Sequence, residues 1–585
     1  MSVKKLLNRV LLFSAIVVCS HAGDALAQSA SNLPPEVIGY ADMVLYNGKI
    51  LTVDERFTVV EAVAIRDGRF LATGSNARIL AMAGPQTRRV DLTGRAVVPG
   101  FIDTHLHSAW VTSPPDTPEQ QAIEEVEDEI SYETLEEALR TLKARVAIAK
   151  PGEFIALGGP SNDVVTQELN VDLLDQVAPE NPLYIEASND QVAANSLVLR
   201  HVPQDVPGIM RDANGRMTGQ LRGAAAGVPG FELKPWPAVE SLLGPQKEGF
   251  LRYNQLGLTT LMGRAGGLEV SVFRDLMTKD ELTMRVRVAH HFLRQNGHPE
   301  AYLKRLGNLT GFGNDMFRII GTSVQVVDGT AGNGSARTTQ AKINPLPGDP
   351  YSRFGQNKWE ESGDLATSDR WNLILANRYG WTVSSLHSSG DMSNTILLDA
   401  FEEAHKERSL VGRHFGIDHG LMLKPEHYGR IKEMDVIPSV YTKALYGNDN
   451  LVTMYGMDEV YKMQPVKSMI EFGILPVAEA DSGNPRTAAP LFNIMKWVTR
   501  RDDKGRQLDP AEAVSREEAL KMYTAWAARY SGEEDLLGTI EPGKLADLVV
   551  FAGDYMTFPE DELDKLRILM TVVGGKVVHE VAGSF

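Results

Sequence analysis

The pattern of apolar and polar positions divides the chain into two textures. Residues 41–98 run in short alternating stretches broken by turn signals, the period of half-buried strands. A strand over 42–50 is interrupted by Asn47-Gly48, and the runs 61–65 and 69–72 flank Asp67-Gly68, which predicts a hairpin. From about residue 135, helical periodicity alternates with short apolar runs at 154–158, 183–187, 259–262, 284–289, 317–327, 382–386, 415–418, 436–440 and 475–480. This alternation predicts an α/β fold with helices packed on a parallel sheet. The clearest helix begins at Ser515, where Glu518 completes a capping box and Leu520, Tyr523, Ala527 and Tyr530 share one face. Strand texture returns at 546–551 and at 568–578, the latter broken by Gly574-Gly575. The two ends are alike and differ from the middle. The organisation with fewest assumptions is a (β/α)8 TIM barrel over 99–539, with an insertion at about 108–257. A small β-sandwich domain is then built from the N- and C-terminal segments, 28–98 plus 540–585.

Residues 1–27 are set apart from that fold. Lys4, Lys5 and Arg9 precede an apolar run at 11–18 that is too short to span a bilayer, and Ala25-Leu26-Ala27 offers a small-x-small cleavage site. A cleaved signal peptide and an exported, periplasmic protein are expected, with an uncleaved anchor as the alternative. A lipoprotein reading through Cys19 is disfavoured by Val18 before it. The formal charge of -17 argues against nucleic acid and anionic membrane surfaces as partners. No later stretch approaches a membrane span, so no membrane partner is expected after signal cleavage. The partner expected is a small-molecule substrate, and a homo-oligomer is left open. Cys19 is the only cysteine, so the mature chain has no disulfide and no cysteinyl metal site.

Four strand ends carry the chemistry. The run 97–102 leads into Asp103-Thr104-His105-Leu106-His107, and residues two apart on a strand face the same way. In a barrel the C-terminal strand ends hold the active site. Two imidazoles projecting together there are half of a first-row metal site. Alone, a His-x-His pair is a weak signal. Three further apolar runs, however, end in His387, in His419 and in Asp481, each followed by a turn or helix.

This ordered set resembles the amidohydrolase superfamily, on the branch of the N-substituted formamide deformylases. The resemblance rests on Pro-Gly-Phe-Ile-Asp-Thr-His-Leu-His at 99–107, His387 with Gly390-Asp391, Ile417-Asp418-His419, Asp481, Asn195-Ser196, the stretch 211–219 and the tail 538–550. It implies a barrel with a composite β-domain, and it carries the family's working set over to His105, His107, His387, His419 and Asp481. Two departures stand out. Val324 stands where binuclear members place a carboxylated lysine, and Gly223 stands where the branch tends to have Glu. Two dications about 3.5–4 Å apart without a bridging anion would repel strongly. A mononuclear centre is therefore expected, with His105, His107, His387 and Asp481 as ligands and His419 beside them. Imidazole and carboxylate donors suit Zn2+, one per chain, with Fe2+ or Mn2+ as alternatives. Asp481 is expected to accept the proton of an activated water, and His419 to polarise a scissile carbonyl or hold the oxyanion. The reaction expected is hydrolysis of a C–N bond in a small molecule. A barrel that binds without hydrolysing, or another metal-assisted reaction, is the alternative.

Other features carry less. Asp190, Asp328 and Glu479 are possible replacements for the missing bridge, and Glu479 shares a strand face with Asp481. His290-His291, Tyr441 and Lys443 follow other strand ends and could line the pocket or lie at the surface. Trp110 could wall the site or simply pack. The acidic stretch 119–137 reads as a solvated face, with a substrate-selective rim as the sharper alternative, and 329–334 lacks the ending of a phosphate loop.

Overall fold

The computed structural model describes residues 39–106, 134–158, 163–188, 191–204, 209–222, 225, 233, 238–291, 299–324, 326–331, 334–344, 353–355, 357–361 and 369–585. The expectations for residues 1–27, His107, Trp110, Asp190, Gly223 and 119–133 lie outside these. The chain is an α/β protein with mixed sheets. No helix among the described residues is long and apolar enough to cross a membrane.

The strands that position the site pair in parallel and in chain order. Phe101–Asp103 pairs with Leu258–Ala265, which pairs with Arg285–His290 and then Phe317–Thr322. A single parallel bridge, Thr322 to Val383, carries the succession onward. His387–Ser388 then pairs with Gly416–His419, which pairs with Ile437–Val440 and finally Val477–Ala478. From this last strand, hydrogen bonds return to the first: Thr104 N donates to Ala478 O at 3.1 Å, and Asp481 N donates to His105 O at 2.9 Å. Gly321 is glycine because a Cβ there would lie 2.5 Å from Thr382 O, where the neighbouring segment crosses.

Three expectations need correction. The strand expected over 317–327 stops at Thr322, because the chain turns away after its last ladder partner, His290. The run 382–386 makes one bridge rather than a ladder, and the regular strand is His387–Ser388. Ser385 lies at φ 57°, in the left-handed region, which interrupts pleating. The helix expected from Ser515 is two helices, Arg516–Met522 and Ala525–Tyr530, because Thr524 leaves helical geometry at ψ −98°. The capping box is present, and Leu520, Tyr523, Ala527 and Tyr530 are all buried.

Both ends of the chain meet in one six-stranded sheet, where Ala96–Pro99 pairs antiparallel with Leu548–Phe551. The hairpin across Asp67-Gly68 closes with Arg66 opposite Arg69, in a second, four-stranded sheet. Met43, Ile65 and Phe70 from that sheet pack with Val97, Leu548 and Val572 from the first in one apolar cluster. The C-terminal strands are tied to the parallel array by Arg285, which grips Asp547 with two bonds of 2.7 and 2.8 Å, both side chains buried. The runs 154–158 and 183–187 belong to a separate five-stranded sheet with Gln191–Ala194, Ile209–Arg211 and Met217–Arg222.

Candidate metal centre

His105 and Asp481 follow the strands Phe101–Asp103 and Val477–Ala478, His419 ends Gly416–His419, and His387 opens the two-residue strand His387–Ser388, so residues far apart in sequence meet at one edge of the parallel array. Backbone geometry aims them. His419 and Asp481 sit at φ 76° and 46°, conformations that cost non-glycine residues energy and that cluster at functional sites. His105 is turned by Asp103, whose Oδ1 accepts from His105 N at 3.0 Å and from Ala480 N at 3.3 Å.

Each of two imidazoles leans on a buried carboxylate through Nδ1. His105 Nδ1 lies 2.5 Å from Asp418 Oδ2. The same carboxylate accepts from Ser385 Oγ at 2.8 Å and from Tyr530 Oη at 2.5 Å. His419 Nδ1 lies 2.5 Å from Glu479 Oε1, and Ser439 Oγ donates to Glu479 Oε2 at 2.6 Å. His387 stands beside this pair, its ring centroid 4.4 Å from that of His419, with Nε2 3.3 Å from Ser389 Oγ and 3.6 Å from Asp328 Oδ1. Asp481 is the most exposed member of the group. Its Oδ1 is 3.5 Å from His105 Nε2, and its Oδ2 is 3.8 Å from His419 Nδ1 and 2.5 Å from Lys443 Nζ.

Burial pushes His419 down to about 3 against the attraction of Asp481, and burial with the neighbouring His419 pushes His387 down to about 3. Both are neutral imidazoles at neutral pH, the form a metal requires. Burial alone would raise Asp418, but the attraction of His105 and the hydrogen bond with it outweigh that and hold it below the ordinary carboxylate range. Glu479 goes the other way, raised well above its ordinary value by burial and by the charge of Asp418.

Ligand atoms of His105, His419 and Asp481 all fall within 4.8 Å of one another. The sequence profile of the amidohydrolase family matches residues 88–579, more than half of the chain. The chain belongs to the amidohydrolase family. It is 26% identical to an N-substituted formamide deformylase from Arthrobacter pascens over 93% of this chain and 99% of that protein. It is 27% identical to the protein LONG AFTER FAR-RED 3 of Arabidopsis thaliana, with 97% of each covered. Among solved structures, an uncharacterized metal-dependent hydrolase from Pyrococcus furiosus matches with a TM-score of 0.59 at 22% identity, covering 88% of this chain and all of that one.

The donor set of this amidohydrolase fits a divalent metal. Two arrangements of acids and histidines come close enough, and the hydrogen bonds distinguish them. The second group, His105 with Asp418 and Glu479, is wholly buried. Its oxygens are already engaged by two imidazoles, Ser385, Tyr530 and Ser439, so it braces the ligands and is not itself the ligand set. The first group sets His105 Nε2 3.5 Å from the Asp481 carboxylate, the more exposed of the two side chains, and these donors suit Zn2+ and its neighbours.

The replacements considered for a bridging lysine are similarly committed. Val324 is buried and apolar. Asp328 accepts from the backbone N of Arg337, Ser389 and Gly390 and from Ser393 Oγ, so it organises the start of the helix Asp391–Glu407. Glu479 is bound to His419 and Ser439, and it does face the same way as Asp481, since both reach His419. Of the lesser candidates, Lys443 bonds Asp481 and lies over the Tyr441 ring, which is 5.0 Å from His419 by centroids.

Asp418, Ser385, Tyr530 and Arg264 are the residues that sequence reasoning missed. Arg264 Nη2 lies 3.5 Å from His105 Nε2. Strand alternation sends Asp418 and His419 to opposite faces, which concealed their common site; the positive φ at His419 breaks that alternation. An acidic residue directly before a strand-end histidine was the available signal.

Proposed function

We propose that this amidohydrolase is an exported, divalent-metal-dependent hydrolase that uses an activated water to cleave a C–N bond of a small molecule, in an amide, formamide, urea or related group. The observation that carries the reading is the convergence of His105, His419 and Asp481 at the strand ends. The near-full-length likeness to an N-substituted formamide deformylase supports the bond type. The scaffold is read as a (β/α)8 barrel with a composite β-sandwich of 28–98 and 540–585, supported by the parallel succession that returns to its first strand and by the pairing of Ala96–Pro99 with Leu548–Phe551. Residues 1–27 are read as a cleaved signal to the periplasm.

His105, His107, His387 and Asp481 would hold one metal, Zn2+ first by donor chemistry, with His419 adjoining. When bound, the metal supplies Lewis acidity that makes a water acidic near neutral pH and polarises a carbonyl. Asp481 accepts the proton of the attacking water and passes it to the leaving nitrogen. Lys443 fixes Oδ2 of that carboxylate, leaving Oδ1 toward His105. With Glu479 inclined to keep its proton and direct it to Nδ1, neutral His419 carries its own proton on Nε2 and donates it in a hydrogen bond to the developing oxyanion. Tyr441 walls this side of the site.

A second reading, a barrel that binds without hydrolysing, is favoured by Val324 and Gly223, where the family resemblance leads one to expect lysine and glutamate. One experiment separates the two. The full chain is expressed with export, its mature N-terminus is sequenced, and the metal-loaded product is assayed on amides, formamides, ureas and lactams. The expected results are a start at Gln28, turnover of at least one class, and a loss of about 10³-fold or more in Asp481→Asn with the fold intact. Stoichiometric metal with no turnover across the panel would favour the binding reading, and turnover at equal rates in Asp481→Asn would overturn the role given to Asp481.

A further inference from the structure

The deepest support of the site comes from an element outside the parallel strands. Tyr530 is the last residue of the helix Ala525–Tyr530, is buried, and reaches Asp418 from beneath the strand ends. The strand is shaped to admit it: a Cβ on Gly416 would lie 2.4 Å from Tyr530 Oη. The hydrogen bonds around the phenol have a forced direction. Ser385 N donates to Tyr530 Oη at 2.9 Å, so an oxygen lone pair is taken and the phenolic proton is directed to Asp418 Oδ1, 2.5 Å away. Ser385 Oγ donates to Asp418 Oδ2 at 2.8 Å. With both oxygens receiving protons, Asp418 acts as acceptor toward His105, whose Nδ1 lies 2.5 Å from Oδ2. His105 must then carry its proton on Nδ1, and its Nε2 lone pair faces Asp481. All four side chains are buried, so water does not compete for these bonds.

We propose that Tyr530 is a positioning residue: through Asp418 it fixes the tautomer and the ring orientation of His105, and so sets the affinity of the candidate centre for a divalent metal. The phenol touches neither substrate nor metal. It couples the helix after the last parallel strand to the first-strand ligand, and Ser385 is the second arm of the same brace. This inference rests on the metal-dependent reading above and names the residue that tunes it.

The test uses the full mature chain with Zn2+ and Co2+ as probes. Tyr530→Phe keeps the ring that fills the space over Gly416 and removes only the hydroxyl, and Ser385→Ala removes the other donor to Asp418. Metal affinity is measured by chelator competition, the Co2+ visible spectrum reports ligand geometry, and 15N-histidine spectra of metal-free protein report the His105 tautomer. The expected result is a folded Tyr530→Phe protein whose affinity is about 10–100-fold weaker, with an altered Co2+ spectrum and a weakened His105 Nδ1–H signal. Ser385→Ala should show a smaller change in the same direction. Affinity, spectrum and tautomer all unchanged in folded Tyr530→Phe would overturn the proposal. Should that variant not fold, an unchanged Ser385→Ala would overturn it. A wild type that binds neither ion would sink the metal-dependent function, and the tautomer signal would still decide whether Tyr530 acts on His105.

Discussion

His105 and His419 are held by the same device, a buried carboxylate on Nδ1, yet the two carboxylates are driven in opposite directions. Asp418 has three donors, His105, Ser385 and Tyr530, and is held low. Glu479 has one fixed donor, Ser439, beside its bond with His419 Nδ1, and is held high by burial and by the charge of Asp418. Burial is nearly equal, both residues being fully enclosed, so donor number and order of ionisation make the difference. A closed layer with neutral imidazoles above it sustains one full negative charge more readily than two. The His105 half is therefore anchored on a charged carboxylate, whereas the His419 half is anchored on one inclined to stay neutral.

The comparison breaks most severely at Asp418. Asp418→Asn removes the charge that three donors converge on, and metal affinity should fall about 10–100-fold, read by chelator competition. Glu479→Gln replaces a group already inclined to stay neutral with a neutral isostere, and its loss should stay below about fivefold, under ~1 kcal/mol. Equal losses in the two variants would erase the distinction.

The pH dependence of stability sharpens it with a smaller effect. Glu479 is raised above its ordinary value of 4.5, so its contribution is fully present below that pH and is lost as pH rises toward its folded value. Asp418 lies below its ordinary value of 3.8, so its contribution is present above that pH and is lost as pH falls through its folded value. In metal-stripped protein, the Tm of wild type should decline relative to Glu479→Gln as pH rises above 4.5. Its advantage over Asp418→Asn should shrink below pH 3.8. Parallel Tm profiles would show that the two acids titrate alike.

The parts of this molecule that were legible in its sequence are those with a period or a local signature. Alternation located the Asp67-Gly68 hairpin, the capping rule located Ser515, and apolar runs ending in His105, His387, His419 and Asp481 located the strand ends. Where the reading fell short, the cause was a departure from regular backbone. Thr524 divides a helix whose buried face continues unbroken, Ser385 interrupts a strand, and His419 rotates so that two neighbours serve one site. Tyr530 was legible as a buried helix position, but no sequence spacing says that a phenol 112 residues from Asp418 donates to it. Contacts at that separation are fixed by packing, not by local pattern.

The central claim is that Asp418 and Glu479 brace the centre while His105 and Asp481 present donors to a metal. The most direct measurement is anomalous diffraction from crystals of the protein loaded with Zn2+. The account predicts a single peak about 2–2.5 Å from His105 Nε2 and the Asp481 carboxylate, with Asp418 and Glu479 still on the Nδ1 atoms. A peak between Asp418 and Glu479, or two peaks of equal height, would contradict it.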